Sequence, residues 1–230
     1  MIEKVLKTTQ GKLRIKIPTQ LKEVTLGQMM RLQQKHQLND LDAISILSGV
    51  TVDELNSVQN INDFQIFGEA ILSLSHQIKH LYNSDDVSKT IVFHIDKKPV
   101  AVKVITNLSM EPAGAFMASS EVIADEINEH IKLYGEDNWK ENFNPSLNAC
   151  CHILAHYFYC RATCKKYNEY KAEEFTEEIK KLRVSEALPI AKHFFTCYPN
   201  LSKQKTSFWH LLLQFWKKKP AFNRLESLNT

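Results

Sequence analysis

The stretch Ile17-Pro-Thr-Gln-Leu-Lys-Glu-Val-Thr-Leu-Gly-Gln-Met-Met30, followed by Ile44-Ser-Ile-Leu-Ser-Gly-Val-Thr-Val-Asp-Glu-Leu55, specifies short helices twice and carries no reactive chemistry. Thr25 with Gln28, and Thr51 with Glu54, fit the capping box, in which the first side chain accepts from an orphan backbone N–H and the second reaches back. Val24 and Met29 occupy the positions of a hydrophobic staple around the first box. Gly49 falls where a left-handed residue ends a helix over 41–48. These signals predict a soluble, mostly helical protein.

Outward from this stretch, Leu13, Ile15 and Ile17 alternate with Lys12, Arg14 and Lys16, the period of a half-buried strand that Pro18 ends. Asn62 is positioned to cap a long helix whose stripe is Phe64, Phe67, Ile71, Leu74, Ile78 and Leu81. The β-branched runs 90–95 and 100–105 flank Asp96-Lys-Lys-Pro99 and read as one β-hairpin. A helix over about 109–133 follows, with Phe116, Ile123, Ile127 and Ile131 on one side, an acidic face of Glu121, Asp125, Glu126 and Glu129, and Gly135 as its stop. Residues 134–145 are a polar connection. Beyond it, Asn144 or Ser146 opens a helix to about 166, further helices cover 171–182 and 185–197 with Ser185 capping the latter, and Thr206 or Ser207 caps a last one, 208–216, ended by Lys217-Lys-Lys-Pro220. The expected class is mainly α-helical (α+β): bundle-like halves with a short N-terminal strand and one hairpin. An N-terminal half, 1–134, carries the hairpin 90–105, and 145–230 forms a C-terminal helical half, the two being separate units or one continuous domain.

The chain has 230 residues with ordinary apolar and charged content, and its 6 glycines and 7 prolines argue against disorder. Five cysteines, two of them adjacent at Cys150 and Cys151, form no disulfide framework and fit a reducing compartment. The first residues hold no continuous apolar run of a secretion signal, and no later run reaches the roughly 18 residues of a membrane span. The protein is therefore expected in a cytoplasm or inside a particle rather than secreted, with no membrane contact. Net charge is +3, but every charged residue from Ala187 to Leu225 is basic: Lys192, Lys203, Lys205, Lys217, Lys218, Lys219 and Arg224. The rest of the chain is net negative.

His152, His156, Cys160 and Cys164 recur every fourth residue, which on a helix makes one slanting row of soft-metal ligands. One straight helix can supply only two ligands to a zinc, so a second element such as His193 or Cys197 would be required. The same spacing is also an ordinary buried helix with small cysteines packed beside Ile153, Leu154, Tyr157 and Phe158. No cofactor is expected. A Cys/His nucleophilic pair has no local signature, and the paired carboxylates at 85–86, 125–126, 173–174 and 177–178 lie in polar stretches, so no catalytic residue is assigned. Phosphate-cradling glycine loops are absent from the sequence. At the basic end, Trp209, Phe215 and Trp216 next to Lys217, Lys218 and Lys219 form a candidate partner-binding segment that docks an aromatic face. The alternative for the same residues is nucleic-acid binding, with lysines on phosphates and rings stacked on bases. The acidic face around 125–129 is a second candidate contact, for a basic partner.

Two blocks resemble small morphogenesis and virion proteins of tailed bacteriophages, including phages of Bacteroidetes hosts. One is the opening stretch: a basic strand, Ile17-Pro-Thr, the Val24-Thr-Leu-Gly-Gln28 helix start, then Ile44-Ser-Ile-Leu-Ser-Gly-Val50 with Asp53-Glu-Leu55. The other runs from Leu147-Asn-Ala-Cys-Cys-His-Ile-Leu-Ala-His-Tyr157 through Tyr167-Asn-Glu-Tyr-Lys-Ala-Glu-Glu-Phe175 to Glu186-Ala-Leu-Pro-Ile-Ala-Lys-His-Phe-Phe195. The resemblance covers about half the chain and implies a non-enzymatic role, as a tail-assembly-chaperone-like factor or a structural or packaged component. Its implied partners are other phage structural proteins or further copies of the chain, in the virion or the host cytoplasm. The Cys/His row and the 208–219 segment depart from the pattern.

Overall fold

The computed structural model describes residues 1–197, apart from 36, 79, 83–85, 137 and 140–142. It is mainly helical with two small antiparallel hairpins. The strand read at 13–17 is the second arm of the first hairpin: β1 (Ile2–Thr8) pairs with β2 (Gly11–Ile17) in the register Leu6↔Leu13. Leu6, Ile15 and Ile17 face the core. β1 escapes the alternation rule because Lys4 occupies an inward position, its ammonium 2.9 Å from Asp63 Oδ1, while Val5 points outward.

Both capping boxes form. Thr25 and Gln28 start α1 (Leu26–Gln34), Thr51 and Glu54 start α3 (Val52–Asn56), and each threonine accepts from the N3 amide while the N3 side chain returns to the cap N–H. Val24 and Met29, the staple pair, are both buried. Between them α2 (Asp40–Ser48) is capped by Asn39 and ends at Gly49 with φ +78°. The long helix starts differently from its sequence reading. Asn60, not Asn62, is the cap, accepting from the Asn62 N–H of a 3-10 turn (Ile61–Phe64) that continues into α4 (Gln65–Ile78).

β3 (Thr90–Ile95) and β4 (Lys98–Lys103) form the expected hairpin, but its turn is only Asp96-Lys97, so Pro99 lies inside β4 opposite His94. Both turn residues have positive φ, +50° and +63°, the geometry that matches the twist of two-residue hairpins. After a 3-10 turn (Leu108–Met110), α5 (Ala113–Tyr134) ends at Gly135 with φ +80°. Ser146 caps α6 (Leu147–Thr163), with Cys164 left-handed behind it. The stretch read as one helix over 171–182 divides into α7 (Glu169–Glu174), capped by Asn168, and α8 (Thr176–Ile179). α9 (Val184–Cys197) starts before Ser185, which lies in its first turn and is not the cap. Its start is set from far away in sequence, because the Val184 N–H donates to the Val24 carbonyl at 2.9 Å.

α6 is the axis of the fold. It is buried over most of its surface, with Asn148 exposed and His152, Cys160 and Arg161 half-buried, and packs against α1, α5, α7, α8, α9 and both strands of the second hairpin. One continuous cluster of buried residues runs from Leu6 and Ile15 through α6 to Phe194 and Phe195. In the connection 135–146, Trp139 is buried and meets Phe143 edge-on, and Phe143 meets Phe195.

Candidate functional site

The histidine and cysteine row lies on α6, and the structure gives its members separate jobs. His156 is buried, with Nδ1 3.0 Å from the Tyr167 hydroxyl. Burial, reinforced by nearby His152, lowers its pKa, so the imidazole favours the neutral form. Cys160 is half-buried with a thiol pKa raised by burial, and Cys164 is the exposed residue that ends the helix. On α9, His193 and Cys197 meet each other, Sγ to Nε2 3.4 Å. Among the described residues no three His, Cys, Asp or Glu side chains gather as a metal site. Cys150 and Cys151 are buried, and burial raises both thiol pKa values, that of Cys151 to about 11. Neither is primed as a nucleophile, which requires a thiolate.

The acidic face of α5 is not uniform. Glu126 is buried, and its carboxylate accepts the Ser146 N–H at 2.5 Å and the Ser146 hydroxyl at 3.0 Å. It therefore braces the start of α6 and is unavailable to a basic partner, whereas Glu121 and Asp125 stay on the outer part of the helix. A second polar contact that residue types did not announce holds the chain just after β4. The Tyr157 hydroxyl donates to the Ile105 carbonyl at 2.7 Å and accepts from the Ile105 N–H at 2.6 Å. Arg161 lies with its guanidinium carbon 5.2 Å from the Tyr157 ring centroid and grips Glu111 through Nε at 2.8 Å and through Nη2. The Glu111 carboxylate is almost fully enclosed, so this pair is a structural tie between α6 and the approach to α5.

The opening capped stretch meets the connection between α8 and α9 at the start of α1. Leu26 N–H donates to the Leu182 carbonyl at 2.9 Å and Gly27 N–H to the Lys180 carbonyl at 2.8 Å, while Gln28 N–H is taken by Thr25. Three of the orphan amides of α1 are thus satisfied, two of them by the connection between α8 and α9. A bridge pairs Thr25 with Arg183, and Arg183 also donates to the Glu23 carbonyl. The approach requires glycine: a Cβ at position 27 would stand 2.9 Å from the Lys180 Cβ.

An open apolar cleft of about 500 Å³ lies between α2, α3 and the start of α4, lined by Leu41, Ile44, Leu55, Val58, Phe64 and Gly68. Asp40 stands at its edge, and Ile61 on the rim is 80% exposed. The chain from 37 to 78 contains Asp40, Asp42, Asp53, Glu54, Asp63 and Glu69 and neither lysine nor arginine. That segregation was countable in the sequence, but the cleft was not, because each lining residue reads as an ordinary core position. The partner-binding candidates Trp209, Phe215, Trp216, Lys217, Lys218 and Lys219 lie outside the described residues. Among the described residues no helix is long and apolar enough to cross a membrane. No protein-family model, characterised protein or solved structure gives a significant match to this chain.

Proposed function

We propose that the protein is a non-enzymatic structural or assembly component of a tailed bacteriophage, acting through protein–protein contacts while the virion is built or filled. The observation that carries this reading is the junction at α1. The two sequence blocks that resemble phage morphogenesis proteins are far apart in the chain, yet the first hydrogen-bonds, from Leu26 and Gly27 to Leu182 and Lys180, to the connection that joins the Tyr167–Phe175 and Glu186–Phe195 parts of the second. They behave as two parts of one structural unit. The open cleft between α2, α3 and α4 agrees with a protein that works by docking, since it offers apolar area inside an acidic segment. Its partners are other particle proteins or further copies of itself, in the virion or in the host cytoplasm during assembly.

The test is genetic and biochemical. Disrupting the gene in an infecting phage should abolish or cut the yield of complete particles, and affinity capture from infected cells should recover portal, capsid or tail proteins. Normal particle yield from the disrupted phage would refute the reading. DNA binding that falls steeply with salt, and is lost on charge reversal of Lys217, Lys218 and Lys219, would replace it with the nucleic-acid alternative.

A further inference from the structure

We infer that the cleft between α2, α3 and α4 is the docking groove of the chain's own aromatic, basic segment, Phe208–Lys219. Three observations converge on this occupant. The first is shape and chemistry. The groove is apolar, of about 500 Å³, and open to solvent beside an exposed Ile61. The segment Phe208-Trp-His-Leu-Leu-Leu-Gln-Phe-Trp216 repeats large apolar residues at 208, 212 and 215 and again at 209, 213 and 216, the i, i+4, i+7 spacing of a helix laid in a groove.

The second observation is charge. Residues 37–78 carry six carboxylates and no lysine or arginine. Two of the six are already matched, Asp42 by Lys35 and Asp63 by Lys4. Asp40 at the groove edge and Asp53 and Glu54 on the adjoining α3 leave the field negative. Lys217, Lys218 and Lys219 follow the apolar segment directly, so seating the aromatic run brings three cations toward that field.

The third is reach. α9 passes the far end of α4, where Lys192 Nζ donates to the Tyr82 carbonyl at 2.9 Å. From Ile78 the groove lies about one length of α4 away, roughly 20 Å, and α9 runs roughly 8 Å further from Lys192 to Cys197, both at 1.5 Å per residue. Residues 198–207 span up to roughly 35 Å when extended, which is enough for docking within one chain. Docking in cis is independent of the phage reading and would keep an apolar surface covered until a partner competes for it.

The full-length protein tests this. A photo-crosslinking benzoylphenylalanine placed at Ile61, which points away from the core, should on irradiation at high dilution join residues within 208–219 of the same molecule, as mapped by peptide mass spectrometry on the monomer band. In a second full-length variant, Trp209→Ser with Phe215→Ser and Trp216→Ser, amide hydrogens over 55–64 should exchange about tenfold faster than in the parent. These substitutions leave every described residue unchanged. Crosslinks formed only between two copies, crosslinks that miss 208–219, or exchange rates identical in the triple variant and the parent would each overturn the inference.

Discussion

Replacing Gly27 with alanine probes the junction that holds the fold together. In a helix, alanine is ordinarily better than glycine by up to about 1 kcal/mol. At position 27 the added methyl would stand 2.9 Å from the Lys180 Cβ and 3.1 Å from its carbonyl oxygen. Neither atom is the free end of a flexible side chain, so the connection between α8 and α9 has to retreat by some tenths of an ångström. That retreat stretches the bonds from Gly27 N–H to Lys180, 2.8 Å, and from Leu26 N–H to Leu182, 2.9 Å. Overpacking costs about 1–3 kcal/mol and each weakened hydrogen bond up to about 1 kcal/mol, so the balance against the helix gain is a loss of about 2–3 kcal/mol. Gly68→Ala is the internal control. It too is a helical glycine, but among the described residues nothing lies within 4 Å of its added Cβ, so with the groove it lines emptied by the Trp209→Ser, Phe215→Ser and Trp216→Ser changes it should gain about 0.5–1 kcal/mol. Guanidinium unfolding followed by far-ultraviolet circular dichroism would show the two midpoints moving in opposite directions at an unchanged m-value. A Gly27→Ala protein as stable as the parent would refute the tight junction.

Tyr157→Phe removes both partners of the Ile105 backbone and should cost about 2 kcal/mol, with a selective loss of amide protection at Ile105; an unchanged exchange rate there would contradict the clamp. Glu126→Ala leaves the Ser146 N–H without its carboxylate and should destabilise by about 1–3 kcal/mol, and the Glu126→Ala/Ser146→Ala pair should cost less than the sum of the two single changes. His156 has a folded pKa below its ordinary 6.5, so the unfolded chain binds the additional proton as pH falls. Its contribution to stability is full above pH 6.5 and drains away below it, so unfolding midpoints should drop between pH 7 and 5, less steeply in His156→Gln; equal slopes would dismiss this assignment. With a thiol reagent, Cys164 and Cys197 should react at once, while Cys150 and Cys151 should react only on unfolding.

The parts of the fold that could be read directly are those whose energetics are local. Thr25, Thr51 and Ser146 start helices through bonds that span three residues, and Gly49 and Gly135 stop them by backbone conformation alone. What escaped was set by distant groups. β1 disguises its inward face with Lys4, and the neutralising Asp63 lies 59 residues away. α9 begins one residue before Ser185 because Val24 holds its first amide. Glu126 sits in a pattern of acids that reads as a solvated face, and only the return of the chain at Ser146 turns it into a bracing group.

The candidate site divides along the same line. Four-residue spacing placed His152, His156 and Cys160 on one face of α6 with Cys164 just past its end, but that face is half covered by other elements. The middle of the row is taken up by packing: His156 meets the Tyr167 hydroxyl, and Cys160 is half covered. The groove is the converse. Leu41, Ile44, Leu55 and Phe64 belong to three short elements, each capped independently, Val58 lies in the link between two of them, and any one of these residues alone reads as core. His156, Cys160 and Glu126 thus make contacts within the fold, while the residues that look most like structure frame an open groove.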